Sequence, residues 1–304
     1  MKIQDINFRI AFLYSLILLF GCQSGKVKLD KENEFSFVFM TDIHVQPEKN
    51  ATQGFRQAID SVNKLNPDFV ITGGDLVMDA LGQNYERADK LYHLYTDCLK
   101  NFKMPVYNTM GNHEIFGIYK KSGVEKSHPE YGEKMYENRL AKRYYSFDHK
   151  GWHFMILDGI EDTGESAYIG EVDSIQMEWI REDLKKVKSE TPVVVSIHIP
   201  LITTYMQVIY GAIASNEENE IVVNSKEVLD LFDGHNLKLV LQGHMHFLED
   251  IYTQGIHFIT GGAVSAKWWQ GKEYGMEEGF MVIDVKGNEF DWKYFDYGWK
   301  PEGE

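Results

Sequence analysis

Cysteine is nearly missing from this 304-residue chain, which has only Cys22 and Cys98. They lie far apart, so the sequence offers neither a disulfide framework nor a thiolate metal site. Basic charge is also short. Thirty-one Lys and Arg stand against 46 Asp and Glu, a net charge of −15. Such a surface repels nucleic acid and anionic lipid at long range, and no nucleic-acid partner is expected. A site for an anion must therefore bring its own positive charge, as metal ions do. The sequence has no low-complexity tract, no repeat period and no dividing linker after residue 34. The apolar run Ile10 to Phe20 falls short of the roughly 20 residues that span a bilayer. With 43% hydrophobic and 25% charged residues, the rest is an ordinary globular composition.

Lys2 and Arg9 precede that apolar run, which has the length of a signal-peptide core. It ends Leu19-Phe20-Gly21-Cys22 and resembles the bacterial lipoprotein signal. The resemblance implies that residues 1–21 are a signal peptide, that Cys22 is lipidated, and that 22–34 is a flexible tether. A secretory peptide cleaved without lipidation, or an uncleaved anchor, are the alternatives. The expected location is a membrane-anchored lipoprotein outside the cytoplasm, in the periplasm or outer membrane or at the cell surface. Gln23 lacks the aspartate that signals inner-membrane retention, which favours an outer membrane where there are two. Cys98 lies in a helical pattern with Leu91, Leu94, Tyr95 and Leu99 and reads as core.

Five short apolar runs share one feature, a cluster of His, Asp or Asn at the end. Phe35 to Met40 leads into Thr41-Asp42-Ile43-His44. Asp68 to Ile71 leads into Thr72-Gly73-Gly74-Asp75. Pro105 to Met110 leads into Gly111-Asn112-His113-Glu114. Pro192 to Ser196 leads into Ile197-His198. Leu237 to Leu241 leads into Gln242-Gly243-His244-Met245-His246. The runs suit strands buried on both faces, as in a parallel sheet with helices around it. Amphipathic stretches lie between them at Phe55 to Leu65, Tyr85 to Leu99, Ser174 to Val187 and Ser225 to Phe232. This alternation implies an α/β fold with right-handed crossovers. Antiparallel pairs are expected for Tyr144 to Phe147 with Trp152 to Leu157, Leu248 to Thr253 with His257 to Thr260, and Phe280 to Val285 with Glu289 to Tyr294. In an open α/β sheet the ligand site lies beyond the carboxyl ends of the strands, where all five clusters fall.

The donors are two carboxylates (Asp42, Asp75), the Asn112 carbonyl and four imidazoles (His44, His198, His244, His246). A single zinc site needs three or four ligands, so this number suggests two metals. The mixed N/O set without thiolate suits Mn, Fe, Zn or Co. Two cations would hold phosphoryl oxygens, generate hydroxide at neutral pH and align it with phosphorus. His113, beside Asn112, is a candidate general acid for the leaving oxygen.

The ordered set Asp42-Ile43-His44, Gly74-Asp75, Gly111-Asn112-His113-Glu114, His198 and Gly243-His244-Met245-His246 resembles the calcineurin-like metallophosphoesterase superfamily. The resemblance covers residues 42 to 246. It implies a two-sheet β-sandwich flanked by helices, an α/β/β/α fold, over a single domain at 35–304. It implies that Asp42, His44, Asp75 and His246 hold one metal, and that Asp75, Asn112, His198 and His244 hold the second. Asp75 would bridge and His113 would be the catalytic histidine. The implied reaction is hydrolysis of a small phosphodiester or phosphomonoester by metal-bound hydroxide.

The departures narrow the branch. The stretch Asp75-Leu76-Val77-Met78-Asp79-Ala80 lacks the arginine of the protein Ser/Thr phosphatases. Met78 stands where purple acid phosphatases place a tyrosine ligand. Two other readings stay open: a lipid-anchored binding protein that keeps metals for stability, and a lipid-head-group pyrophosphatase, whose sign would be an apolar patch beside the site. The oligomeric state is open.

Glu114 is read either as orienting His113 or as capping a turn. His93, His128, His149, His153, His235 and His257 are read as surface or satisfied core residues. The segments 115–143, 200–220 and 261–278 are positioned to shape specificity. Trp268 or Trp269 is expected either to stack on a substrate ring or to pack the core rim.

Overall fold

A computed structural model describes residues 33–301. The signal segment, Cys22 and nearly all of the tether lie outside the described residues. In chain order the elements are β1 (Glu34–Met40), α1 (Ala51–Leu65), β2 (Phe69–Gly73), α2 (Tyr85–Leu99), β3 (Val106–Thr109), α3 (Lys134–Arg139), β4 (Tyr145–His149), β5 (Trp152–Ile156), β6 (Ile160–Asp162), β7 (Tyr168–Gly170), α4 (Ser174–Leu184), β8 (Pro192–Ser196), α5 (Tyr205–Tyr210), α6 (Ser225–Asp230), β9 (Asn236–Gln242), β10 (Glu249–Thr253), β11 (Ile256–Thr260), β12 (Gly279–Lys286) and β13 (Glu289–Asp296).

The five apolar runs do not share one parallel sheet. Three of them form the parallel part of a five-stranded sheet in the order β13-β12-β1-β2-β3. The other two, β8 and β9, lie in a six-stranded sheet in the order β10-β11-β9-β8-β5-β4. All three expected antiparallel pairs form. One of them also closes onto a run from the chain's other end: β12 pairs with β1, Val285 opposite Phe35.

Side-chain alternation builds the sandwich. Phe35, Phe37 and Phe39 of β1 point between the sheets, where they meet Phe69, Trp152, Phe154, Leu239 and Ile283. Phe37 stacks on Phe69 at 5.1 Å, and the Phe69 ring meets Phe154 edge-on at 5.2 Å. Val38 and Met40 point the other way, into the layer of Phe55, Ile59 and Val62 from α1. Both faces of the strand are thus buried, which explains its unbroken apolar sequence.

Helix α1 begins at Ala51, one turn earlier than its apolar pattern suggests. Asn50, a residue type common at this position, precedes it at φ 53° and makes no side-chain cap hydrogen bond to the helix. Gly54 is required in this first turn, because a Cβ there would lie 2.2 Å from the Trp269 ring. Cys98 is buried on α2, as its spacing implies. No helix among the described residues is long and apolar enough to cross a membrane.

Candidate metal centre

The loops after β1, β2, β3, β8 and β9 meet at one edge of the sandwich and are laced by backbone hydrogen bonds. The Asp42 N–H donates to Gly74 O at 3.0 Å, the His44 N–H to Asp75 O at 2.8 Å, and the Gly243 N–H to His198 O at 2.9 Å. The Asp42 carboxylate accepts the His244 N–H at 3.1 Å. Five of the expected ligands sit in the left-handed region: Asp42 (φ 55°), His44 (47°), Asp75 (51°), His244 (71°) and His246 (49°). Non-glycine residues there carry strain, and the lacing holds them to it so that their side chains turn inward.

The side chains form adjoining groups. Asp42, His44 and His246 offer ligand atoms within 4.8 Å of one another, as do Asp75, His198 and His244. Asn112 joins the second group, with Oδ1 3.1 Å from His198 Nε2. Asp75 faces both groups: Oδ1 is 3.2 Å from His198 Nε2, and Oδ2 is 3.6 Å from His44 Nε2. All seven residues expected to hold metal are therefore together, and His113 stands with them, its Nε2 3.8 Å from Asp75 Oδ2.

Proton counting tests whether cations fit. His198 Nδ1 donates to Gly73 O at 2.7 Å, and His246 Nδ1 to Ala266 O at 2.5 Å. In each neutral ring the Nε2 is then a lone pair aimed inward. His198 Nε2 faces two oxygen acceptors, Asp75 Oδ1 and Asn112 Oδ1. His246 Nε2 faces Asp42 Oδ1 at 3.4 Å and His44 Nε2 at 2.9 Å. His44 Nδ1 and His244 Nδ1 are buried without a hydrogen-bond partner. Converging buried lone pairs repel unless protons or cations lie between them, so the donor set fits metal ions.

Charge shifts follow the same pattern. Burial pushes His198 down, but the Asp75 carboxylate outweighs it and lifts the ring to about 9. Burial also lowers His246, and Asp42 overrides it upward. Burial, with His198 adding to it, takes His244 down to about 4, and burial with His113 takes His44 well below its usual range. Burial raises Asp42, yet the His246 ring brings it down to about 2. A proton on His198 thus holds a position that a cation would take.

Glu114 does not touch the His113 ring. Its Oε1 accepts the Leu76 and Val77 N–H groups at 2.8 and 3.0 Å, and its Oε2 accepts the Gly111 N–H at 2.7 Å. It is a turn-capping carboxylate that ties the Asp75 loop to the Asn112 loop. Asp79 supplies the contact to His113 through its backbone N–H, 3.0 Å from Nδ1. The sequence reading missed Asp79, because a main-chain donor leaves no residue signature. It also missed Trp269 as a brace. This ring is buried, and its Nε1 donates to Ile43 O at 3.0 Å and His44 O at 3.1 Å. Trp268 is the one beside the centre, its ring 5.0 Å from that of His246. His153 is buried between Asp148 and Asp183, a satisfied core histidine. His235 differs, since its Nδ1 is buried with no partner.

The family model for calcineurin-like phosphoesterase matches residues 35–248. The chain belongs to the calcineurin-like phosphoesterase family. It is a phosphoric ester hydrolase of a family that uses two divalent metal ions, and Mn, Fe or Zn suits the Asp/His groups brought together here. Similar solved structures share its fold. A dimetal phosphatase from Danio rerio is 13% identical, with a TM-score of 0.58 over 87% of this chain and 99% of that one. A purple acid phosphatase from yellow lupin seeds is 18% identical, with a TM-score of 0.57 over 87% of this chain and 52% of that one. A phosphopantetheinyl hydrolase from Mycobacterium tuberculosis is 15% identical, with a TM-score of 0.50 over 80% of this chain and 95% of that one. No curated protein matches the chain in sequence.

Proposed function

We propose that this calcineurin-like phosphoesterase hydrolyses a small phosphodiester or phosphomonoester, using Asp42, His44, Asp75, Asn112, His198, His244 and His246 to hold its two metals and His113 as general acid. The observation that carries this is the split role of Asp75, whose two oxygens face separate donor groups. When bound, two cations at the centre offset phosphoryl charge and lower the pKa of a water.

The remaining steps belong to the chain. Asp75 is fixed by the His113 N–H at 3.0 Å on Oδ1, so its orientation is set before metal arrives. His113 Nδ1 accepts from Asp79, which leaves the neutral ring's proton on Nε2, facing the centre. From there the N–H hydrogen-bonds the leaving oxygen; acting as general acid, the ring would be the imidazolium, which gives its Nε2 proton to the leaving alkoxide and returns to this neutral form.

The N-terminal segment supports a location outside the cytoplasm, anchored through lipid on Cys22, with 35–304 as the single catalytic domain. One feature favours a lipid-linked ester as a second reading. Val208, Tyr210 and Ile213, on and just after α5, are 61%, 64% and 101% exposed, and α5 begins at Tyr205 beside the centre.

The test is turnover by the chain stripped of metal and resupplied with Mn²⁺, comparing bis-p-nitrophenyl phosphate with p-nitrophenyl phosphate. Metal-dependent release of nitrophenol is expected, and the ratio of the rates separates diester from monoester preference. No turnover with Mn²⁺, Fe²⁺ or Zn²⁺ would return the chain to a metal-stabilised binding role.

A further inference from the structure

A cavity of about 160 Å³ adjoins the metal centre and shares His244 and His246 with it. A substituent of any phosphoryl group held at the centre has this space beside it. The space is enough for a small organic group.

The walls are aromatic and acidic. Trp268, Tyr205 and Tyr274 line it with Met245. Tyr205 and Tyr274 meet edge to face at 5.7 Å, and their hydroxyls bond each other at 2.8 Å. The polar ends of both rings are thereby occupied, and what remains is π surface. Trp268 Nε1 makes no hydrogen bond, so no polar contact fixes that ring. Two carboxylates complete the lining, Glu220 and Glu273. Glu220 Oε2 accepts the Glu217 N–H at 2.9 Å. Glu273 Oε2 is buried and accepts no hydrogen bond. The nearest cation to it, Lys267 Nζ, is 3.8 Å away, too far for one.

Among the described residues that line the cavity there is no lysine or arginine. A second phosphate would therefore meet two carboxylates and no cation in the lining itself, Lys267 standing behind Glu273. Aromatic faces joined to carboxylates attract the opposite kind of group, a quaternary or substituted ammonium. We propose that this cavity binds the cationic end of an amino-alcohol phosphate ester, of the phosphocholine type, while the phosphoryl group sits at the metal centre. The proposal rests on the phosphoesterase reading and names its substrate class. Trp268 supplies the strongest cation-attracting face, and Glu273 supplies a carboxyl oxygen that is buried and accepts no hydrogen bond.

The test uses the full chain loaded with Mn²⁺ and two esters of one shape. One is p-nitrophenyl phosphorylcholine, and the other is its neutral carbon isostere, 3,3-dimethylbutyl p-nitrophenyl phosphate. The expected kcat/KM is about tenfold or more in favour of the cation, as one or two cation–π contacts would give. Glu273→Gln and Trp268→Leu should each shrink that ratio. Equal values for the two esters, with bis-p-nitrophenyl phosphate turned over, would overturn the cavity's assignment and leave the phosphoesterase reading standing.

If no ester is turned over, that reading fails and a titration of the metal-free chain with choline decides the cavity alone. Saturable quenching of tryptophan fluorescence that is lost in Trp268→Leu supports it, and no quenching overturns it. Glycerophosphocholine and phosphatidylcholine vesicles, run side by side, separate a free ester from a lipid headgroup as the source. Failure to turn over either, with bis-p-nitrophenyl phosphate hydrolysed, counts against the phosphocholine type.

Discussion

His113 Nδ1 accepts the backbone N–H of Asp79 at 3.0 Å, and that one contact separates His113 from the four histidines expected to hold metal. Its Nε2 is close enough to His44 and Asp75 to join a ligand group. With Nδ1 occupied as an acceptor, the neutral ring carries its proton on Nε2 and offers no lone pair there. His198 and His246 show the reverse arrangement, with Nδ1 donating to a carbonyl. Backbone contacts thus sort His198 and His246 as donors of lone pairs and His113 as a donor of a proton.

His113→Asn should therefore spare metal content and reduce turnover. The expected loss in kcat is about 10²- to 10⁴-fold, the usual range for a general acid. Metal analysis beside kcat on bis-p-nitrophenyl phosphate checks it. An unchanged kcat would remove His113 from the reaction, and loss of one metal would make it a ligand.

Metal loading should displace protons. Asp75 holds the His198 ring at about 9 despite burial, so this ring is protonated at pH 7.5 in the metal-free chain. Binding at His198 Nε2 requires that proton to leave, and protons compete with the ion. The apparent affinity for Mn²⁺ should rise from pH 7 to pH 9, and calorimetry in buffers of different ionisation enthalpy should show proton release. Saturating metal at about 100 times its dissociation constant would also stabilise the fold by about 2.7 kcal/mol. Affinity that is flat across this range would contradict the proton accounting.

Gly111 has no room for a side chain. A Cβ there would lie 2.2 Å from Asp75 N and 2.3 Å from Asp75 Oδ1. Gly111→Ala should push the Asp75 loop outward, costing about 1–3 kcal/mol and lowering Mn²⁺ affinity. Gly287 makes the control. At φ +62° its Cβ would meet nothing, so Gly287→Ala should cost about 1 kcal/mol through backbone strain alone. Denaturant unfolding and Mn²⁺ titration of both variants separate the two effects. Equal Mn²⁺ affinity in the two would show that Gly111 does not position Asp75.

Local pattern carried much of this molecule into view. The run Pro192 to Ser196 is β8 at both ends, because proline opens it and apolar β-branched residues fill a strand buried on both faces. The turn at Lys286-Gly287-Asn288 marks the β12–β13 hairpin. The clustering of Asp42, His44, Asp75, Asn112, His198, His244 and His246 followed from their position after strands. The division into two sheets came from the family resemblance and not from local pattern, because Phe35 pairs with Val285 across 250 residues and no local period encodes that. The left-handed backbone at Asp42, His44, Asp75, His244 and His246 did not show, since tertiary lacing imposes it against intrinsic preference. Trp269 was open to substrate stacking or to packing the core rim; it is buried, and its partners are main-chain carbonyls of a loop over 200 residues away.

Arg143 lies away from the metal centre and gathers three acids. Its guanidinium is 2.9 Å from Glu133, 2.8 Å from Asp158 and 3.3 Å from Asp173. One positive charge cannot balance three ionised carboxyls, and burial, with Glu133 adding to it, pushes Asp158 up as well. Burial pushes the Glu133 carboxyl up to about 7 against the pull of Arg143, and Glu161 adds to the rise. The folded chain then holds a proton between about 4.5 and 7 that the unfolded chain has released. Its contribution to stability is whole below about 4.5 and is lost as pH rises through 7. Glu133 is 24% exposed, so solvent screens part of the effect, which comes to about 1–2 kcal/mol between pH 5 and pH 8. Glu133→Gln keeps the shape without the titration, and its stability should fall less over that interval than that of the parent chain. Urea unfolding at pH 5 and pH 8 for both chains measures the difference. Equal falls would mean that Glu133 is ionised throughout and that Arg143 is balanced by another arrangement of the same acids.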